Sequence, residues 1–160
     1  MVPEKLQDCL IEELKEIFKG IEYKDLSGEY SAINIFKQKL PPKKYEEEDP
    51  DVKFPCIIVE LKSGTTPTEQ DQRTCIINFI IGVIESDDAE SGFSAVFSII
   101  NKISYLLETK RIFNDCYEFQ YPLTWDTAED ESNPFYYGSI ETSWNVPKIT
   151  QGNKETAAWL

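Results

Sequence analysis

Two hydrophobic periods take turns along this chain. From Pro3 to Lys19, Leu6, Leu10, Leu14, Ile17 and Phe18 recur at helical spacing, while Glu12, Glu13, Lys15 and Glu16 fall mostly off that stripe. The pattern predicts a one-sided helix that covers a sheet, with Pro3 suited to its first turn and Gly20 to its stop. Ser27-Gly28 marks a turn. Ile33–Leu40 alternates weakly and reads as a first strand, ended by Pro41-Pro42 because proline cannot continue a ladder. Phe54–Lys62 reads as the second strand and Arg73–Ile84 as the third, joined by Ser63–Gln72, a loop too long for a tight turn.

The third strand is apolar at almost every position, with Ile76, Ile77, Phe79, Ile80, Ile81, Val83 and Ile84. A half-exposed strand would alternate, so this one is expected to be central and covered on both faces. Gly82 within it marks either a bulge or a close backbone approach. Acidic residues between Glu85 and Ser91 then precede a second helix, whose stripe is Phe93, Val96, Phe97, Ile100, Ile103 and Leu107, widened by Ile99 and Leu106. Phe113–Trp125 and Phe135–Val146 read as the last two strands, separated by the acidic turn region Asp126–Pro134. In the first of them Tyr117, Phe119, Tyr121, Leu123 and Trp125 keep a period of two, the signature of a core face. Tyr136, Tyr137 and Trp144 would pair with that stripe, leaving Trp125 or Trp144 the option of reaching an interface.

The fold class expected from this order is α+β: a mainly antiparallel sheet of four to five strands with two helices packed on it, in the order α-β-β-β-α-β-β. Residues 1–147 form one domain in this reading, and 148–160, which lack periodicity, form a flexible or partner-ordered tail. A chain of 160 residues is long enough to build a core without disulfides or metal. The N-terminal M-V-P-E-K-L-Q-D has no basic region followed by an apolar run, so no secretory signal is expected, and no apolar stretch approaches the ~20 residues of a bilayer span. Cys9, Cys56, Cys75 and Cys116 are widely spaced and form no C-x-x-C pair. Cys56 and Cys75 fall on strands expected to pair, which makes a bridge conceivable, but buried reduced thiols suit a cytosolic chain better.

Charge narrows the function classes. Asp and Glu number 29 against 16 Lys and Arg, a formal net charge of −13, which repels phosphate backbones and disfavours sequence-specific nucleic-acid binding. The one basic cluster is Lys37, Lys39, Lys43 and Lys44, and it reads best as an edge strand guarded by lysine against mispairing. The sequence contains no histidine, so histidine-based triads and histidine-ligated metals are excluded. Asp126 and Glu129 fall in a polar turn with no apolar run beside them to raise a carboxyl pKa. Glu46-Glu47-Glu48-Asp49 and Asp87-Asp88 lack the alternating ligands and glycine of a calcium loop, and no glycine-rich phosphate motif occurs. No catalytic, cofactor or metal residue is therefore assigned. The expected role is contact between folded faces.

One resemblance adds to this. The strand ending in L-P-P-K-K, then F-P-C-I-I-V-E-L, I-N-F-I-I-G-V, the helix F-S-A-V-F-S-I-I-N-K-I-S-Y-L-L, Y-E-F-Q-Y-P-L-T-W and P-F-Y-Y-G-S-I-E-T-S-W-N-V-P follow one another between Ile33 and Pro147. In order and spacing this series resembles the tail terminator (tail completion) proteins of long-tailed phages and prophages of Gram-positive bacteria. The resemblance implies a virion protein, present in the host bacterial cytoplasm during assembly. It implies a hexameric ring of self-contacts on the last ring of tail-tube protein, a stop to polymerisation, a surface for the head–tail connector protein, and no membrane or cofactor. The candidate ring, tube or lumen contacts are Lys43, Lys44, Glu46, Glu47, Glu48, Asp49 and Asp51 in one loop and Thr65, Thr66, Glu69 and Asp71 in the other. An acidic loop in the lumen would let DNA pass without a counterion-release gain. Two rivals stay open at this point: another neck or minor tail protein, and an acidic inhibitor or immunity protein that presents carboxylates to a basic nuclease.

Overall fold

A computed structural model of the chain describes residues 2–25, 27–40, 53–128 and 134–148. In chain order the elements are α1 (Val2–Ile17), β1 (Glu22–Lys24), β2 (Tyr30–Ala32), β3 (Asn34–Lys37), β4 (Cys56–Thr65), β5 (Thr74–Ile84), α2 (Ala89–Lys110), β6 (Ile112–Phe113), β7 (Tyr117–Thr127) and β8 (Phe135–Asn145). The class is α+β, as expected. The sheet is larger and less regular than expected: six strands in the order β3-β4-β5-β8-β7-β6, plus a separate two-stranded sheet of β1 and β2.

Three corrections follow from local physics. β1 and β2 escaped the reading because three residues each are too few for a period to register. β3 ends at Lys37, before the prolines, because Gln38 turns into the left-handed region at φ 74°. Finally, β3 runs parallel to β4, with Asn34 opposite Cys56 and Lys37 opposite Val59. The sheet is therefore mixed, and the segment from residue 38 to residue 55 is long enough for the crossover that a parallel pair requires.

Strand β5 is central, flanked by β8 over its whole length and by β4 from Thr74 to Gly82. Its odd positions, Cys75 to Val83, are buried under the helices with Ile57 and Val59 of β4 and Ile140, Thr142 and Trp144 of β8. Leu6, Leu10 and Leu14 of α1 and Val96, Ile99, Ile100, Ile103 and Leu107 of α2 complete that core. Both helices thus lie on one face. The opposite face is covered only in part among the described residues: Phe54, Cys56 and Ile84 are buried there with Phe36, Leu40, Phe135 and Tyr137 around them, while Ile58, Ile76 and Ile80 remain half-buried. The expectation of full cover on both faces of β5 holds at that one end.

Helix α2 is capped at both ends. The Asp88 side chain accepts from the Glu90 backbone N–H at 3.0 Å, and the Arg111 N–H, with φ 63°, closes onto the Leu107 carbonyl. Two glycines let this helix approach β8. A Cβ on Gly92 would stand 2.4 Å from the Tyr136 ring, and one on Gly138 would stand 2.5 Å from Val96 Cγ1. Gly82 is a close approach too, since the Phe54 ring lies 3.2 Å from where its Cβ would be. The bulge in the β4–β5 ladder falls instead on β4, between Leu61 and Ser63, opposite Ile76 and Ile77. The β1–β2 hairpin is tied down by Tyr23 Oη to Ser98 Oγ at 3.1 Å and by Lys24 Nζ to the buried Glu85 carboxylate at 3.0 Å.

Candidate functional site

The two loops singled out in the sequence fare differently. Lys43, Lys44, Glu46, Glu47, Glu48, Asp49 and Asp51 lie outside the described residues. Of the second loop, Ser63, Gly64 and Thr65 belong to β4, where Thr65 pairs with Thr74, so the connection to β5 is shorter than Ser63–Gln72. Thr66 accepts from Arg73 Nε at 3.4 Å, Asp71 accepts from Thr68 Oγ1 at 2.8 Å, and Glu69 is exposed at the turn. These residues form a polar, self-bonded hairpin tip. Beside it a groove of ≈410 Å³ runs between Pro3 of α1 and the Leu61–Thr66 and Arg73–Cys75 stretches.

The edges of the main sheet differ from each other. β3 is an edge strand, as the lysine-guard reading expected, and Lys37 there is held by Glu4 and Asp8 of α1, each at 2.8 Å. Beyond the end of β3 the Gln38 side chain continues the edge: its Nε2 donates to the Leu61 carbonyl at 3.1 Å, and its Oε1 accepts from the Leu61 N–H at 3.0 Å. A side-chain amide thereby stands in for one more strand residue. Gln7, buried in α1, donates to the same Oε1 and to the Val59 carbonyl, both at 2.7 Å.

At the far edge, β6 pairs only with Tyr117 and Glu118 of β7, and the Phe119 N–H reaches the Arg111 carbonyl at 2.7 Å. From Gln120 to Thr127 no strand flanks the outer side of β7 among the described residues. This is where the aromatic stripe divides. Tyr117 and Phe119 are buried, whereas Tyr121 is 55% and Trp125 54% exposed. The register against β8 breaks between Gln120 and Thr124, so the strand leaves the ladder just where the stripe leaves the core. Trp144 takes the buried alternative and Trp125 the exposed one. The Trp125 ring stands edge-on to Phe97 of α2, itself 39% exposed, at 5.7 Å between centroids.

The open sheet face carries a polar row across its middle. Asn78 lies in register with Glu60 on one side and Glu141 on the other, and donates to Glu60 Oε1 at 3.2 Å, while Lys62 pairs with Glu141 at 3.2 Å. The Asn78 Oδ1 is buried without a hydrogen-bond partner among the described residues. Among those residues, too, no group of three His, Cys, Asp or Glu side chains could hold a metal, and no helix is long and apolar enough to cross a membrane.

The four thiols are free. Cys56 faces Gly82 and Cys75 faces Gly64 at the other end of the same ladder, which separates them by roughly 20 Å at ~3.3 Å per residue, so the conceivable bridge does not exist. Burial pushes both thiols up to about 12, and burial also raises Cys9 and Cys116. The neutral thiol is a poor nucleophile. At pH 8 a small alkylating reagent should therefore modify the half-buried Cys9 and Cys116 slowly and leave Cys56 and Cys75 untouched until denaturant is added. Mass mapping that found Cys56 or Cys75 modified first in the native protein would contradict this packing.

The chain matches no protein-family model, and no curated protein matches it at a significant level.

Proposed function

We propose that this chain is a structural protein that caps the tail tube of a long-tailed phage, with a tail-terminator-like fold. As a ring of copies, a hexamer in that family, it occupies the growing face of the tube, stops its polymerisation and offers the other face to the head–tail connector. The observation that carries the reading is the ordered run of strand and helix segments from Ile33 to Pro147 quoted above, whose order and spacing resemble that family.

The architecture is compatible with work done by contact alone. Both helices cover one face of the sheet, so among the described residues much of the other face and the β7 edge are left to meet neighbours. Ring subunits join head to tail through two different patches, and this sheet ends in two unlike edges. A net charge of −13 would keep DNA from adhering as it passes.

Electron microscopy of tails assembled with and without this gene tests the reading. Tubes of uncontrolled, excessive length are expected in its absence, with normal length restored when the purified protein is present during tube assembly. Tubes of normal length that join heads without it would overturn the proposal. Discrete one-to-one complexes with a basic nuclease would favour the inhibitor instead.

A further inference from the structure

Among the described residues, the outer edge of β7 differs from the other sheet edge in being left open. At β3 the Gln38 amide takes up the N–H and C=O of Leu61, and Lys37 is neutralised by Glu4 and Asp8. Along Leu123–Thr127, past Pro122 and the break in register, neither device is present among the described residues, and exposed strand edges with apolar side chains are a template for another strand.

The side chains along this edge state what the missing strand should carry. At Tyr121 the chain supplies its own cation: the Arg111 guanidinium lies 5.2 Å from the ring centroid. At Trp125, the better π face, no cation stands over the ring among the described residues, and the carboxylate of Glu90, which shares a groove with Phe97, has no ion pair among them. Between α2 and the end of β7 a groove of ≈430 Å³ opens, lined by Glu90, Phe93, Ser94, Phe97 and Thr127. It has room for one long side chain entering at Phe97, the ring on which Trp125 packs, with its charge at Glu90, not for a globular partner. A carboxylate without an ion pair beside an exposed aromatic pair calls for a positive complement.

We propose that the Leu123–Thr127 edge takes an extended, lysine- or arginine-bearing segment of a partner protein as an added strand, with one basic side chain lying over Trp125 and Phe97 against Glu90. This inference stands on the edge and its side chains and does not depend on the tail-capping reading.

Calorimetric titration of the full chain with a blocked peptide of alternating lysine and valine, seven residues long, tests it. Saturable one-to-one binding is expected. Trp125→Ala and Glu90→Gln should each weaken it by about 3- to 30-fold, the range of a partly desolvated cation–π or ion contact. Because Trp125 and Glu90 are exposed, both variants should fold, and Glu90→Gln leaves the aromatic pair intact. The same peptide N-methylated at alternate residues keeps its charge but cannot donate along the edge, and it should not bind. Equal affinity for the methylated peptide, or affinity unchanged in both variants, would show adhesion to a negative surface only and overturn the proposal. So would absence of binding, or a self-association that Trp125→Ala abolishes, which would give the edge to a second copy of this chain.

Discussion

Replacing Trp144 with alanine should lower the free energy of unfolding by about 3–5 kcal/mol, the usual cost of removing a large aromatic from a core. Trp144 is fully buried, and its ring lies edge-on to Phe113 at 5.3 Å and to Phe119 at 5.7 Å. It also anchors a polar relay inside the apolar layer. The indole Nε1–H donates to Thr142 Oγ1 at 2.8 Å, and that hydroxyl donates to the Ile77 carbonyl at 2.7 Å. Alanine leaves a cavity, removes two ring contacts and strips the Thr142 oxygen of its donor. Trp144→Phe separates these effects, because it keeps most of the volume and loses only the donor, at a cost of about 1–2 kcal/mol. Chemical denaturation of the two variants checks the order. At ~2–4 °C per kcal/mol for a chain of this size, the alanine variant should melt about 10 °C lower. Equal losses in both would mean that the relay, not the packing, carries the site.

The second large effect concerns the seat of α2 on β8. Gly92→Ala should destabilise the protein although alanine favours a helix over glycine by about 1 kcal/mol. A methyl group there would stand 2.4 Å from Tyr136 Cδ2, well inside contact distance, and that ring is itself packed edge-on against Phe93. Gly138→Ala meets Val96 Cγ1 at 2.5 Å, with the Asp126 carbonyl and Ile100 Cδ1 at 3.4 Å blocking retreat. Overpacking of this kind costs about 1–3 kcal/mol, so the clash outweighs propensity at Gly92. Val96→Ala should restore much of the loss in the Gly138→Ala background while destabilising the native protein by itself. A double-mutant cycle measures that coupling, and simple additivity of the two losses would show that the helix does not rest where described.

The candidate surface was legible in the sequence only in part. The basic cluster pointed correctly to an edge strand, because lysine at an edge has a local cause. The aromatic stripe from Tyr117 to Trp125 misled, because alternation reports which side of a strand a residue faces and not whether anything covers that side. Here Tyr117 pairs with β6 and Phe119 packs on the buried Trp144, while beyond the register break at Gln120–Thr124 Tyr121 has no such cover and Trp125 meets only the half-exposed Phe97 at the rim of α2. Exposure of Trp125 depends on where other elements end, which no window of neighbouring residues contains.

What this chain settles by sequence alone is local and periodic: two one-sided helices with their start and stop signals, a β5 without polar alternation that must be central, and a charge balance hostile to phosphate. Tertiary structure decided what depends on residues far apart in the chain. It paired β3 in parallel with β4, split the aromatic stripe between core and surface, set Cys56 and Cys75 at opposite ends of one ladder, and, among the described residues, closed one sheet edge while leaving the other open. The reason is that backbone period is written within a few residues, whereas register, strand order and cover are chosen by whole faces competing for one core.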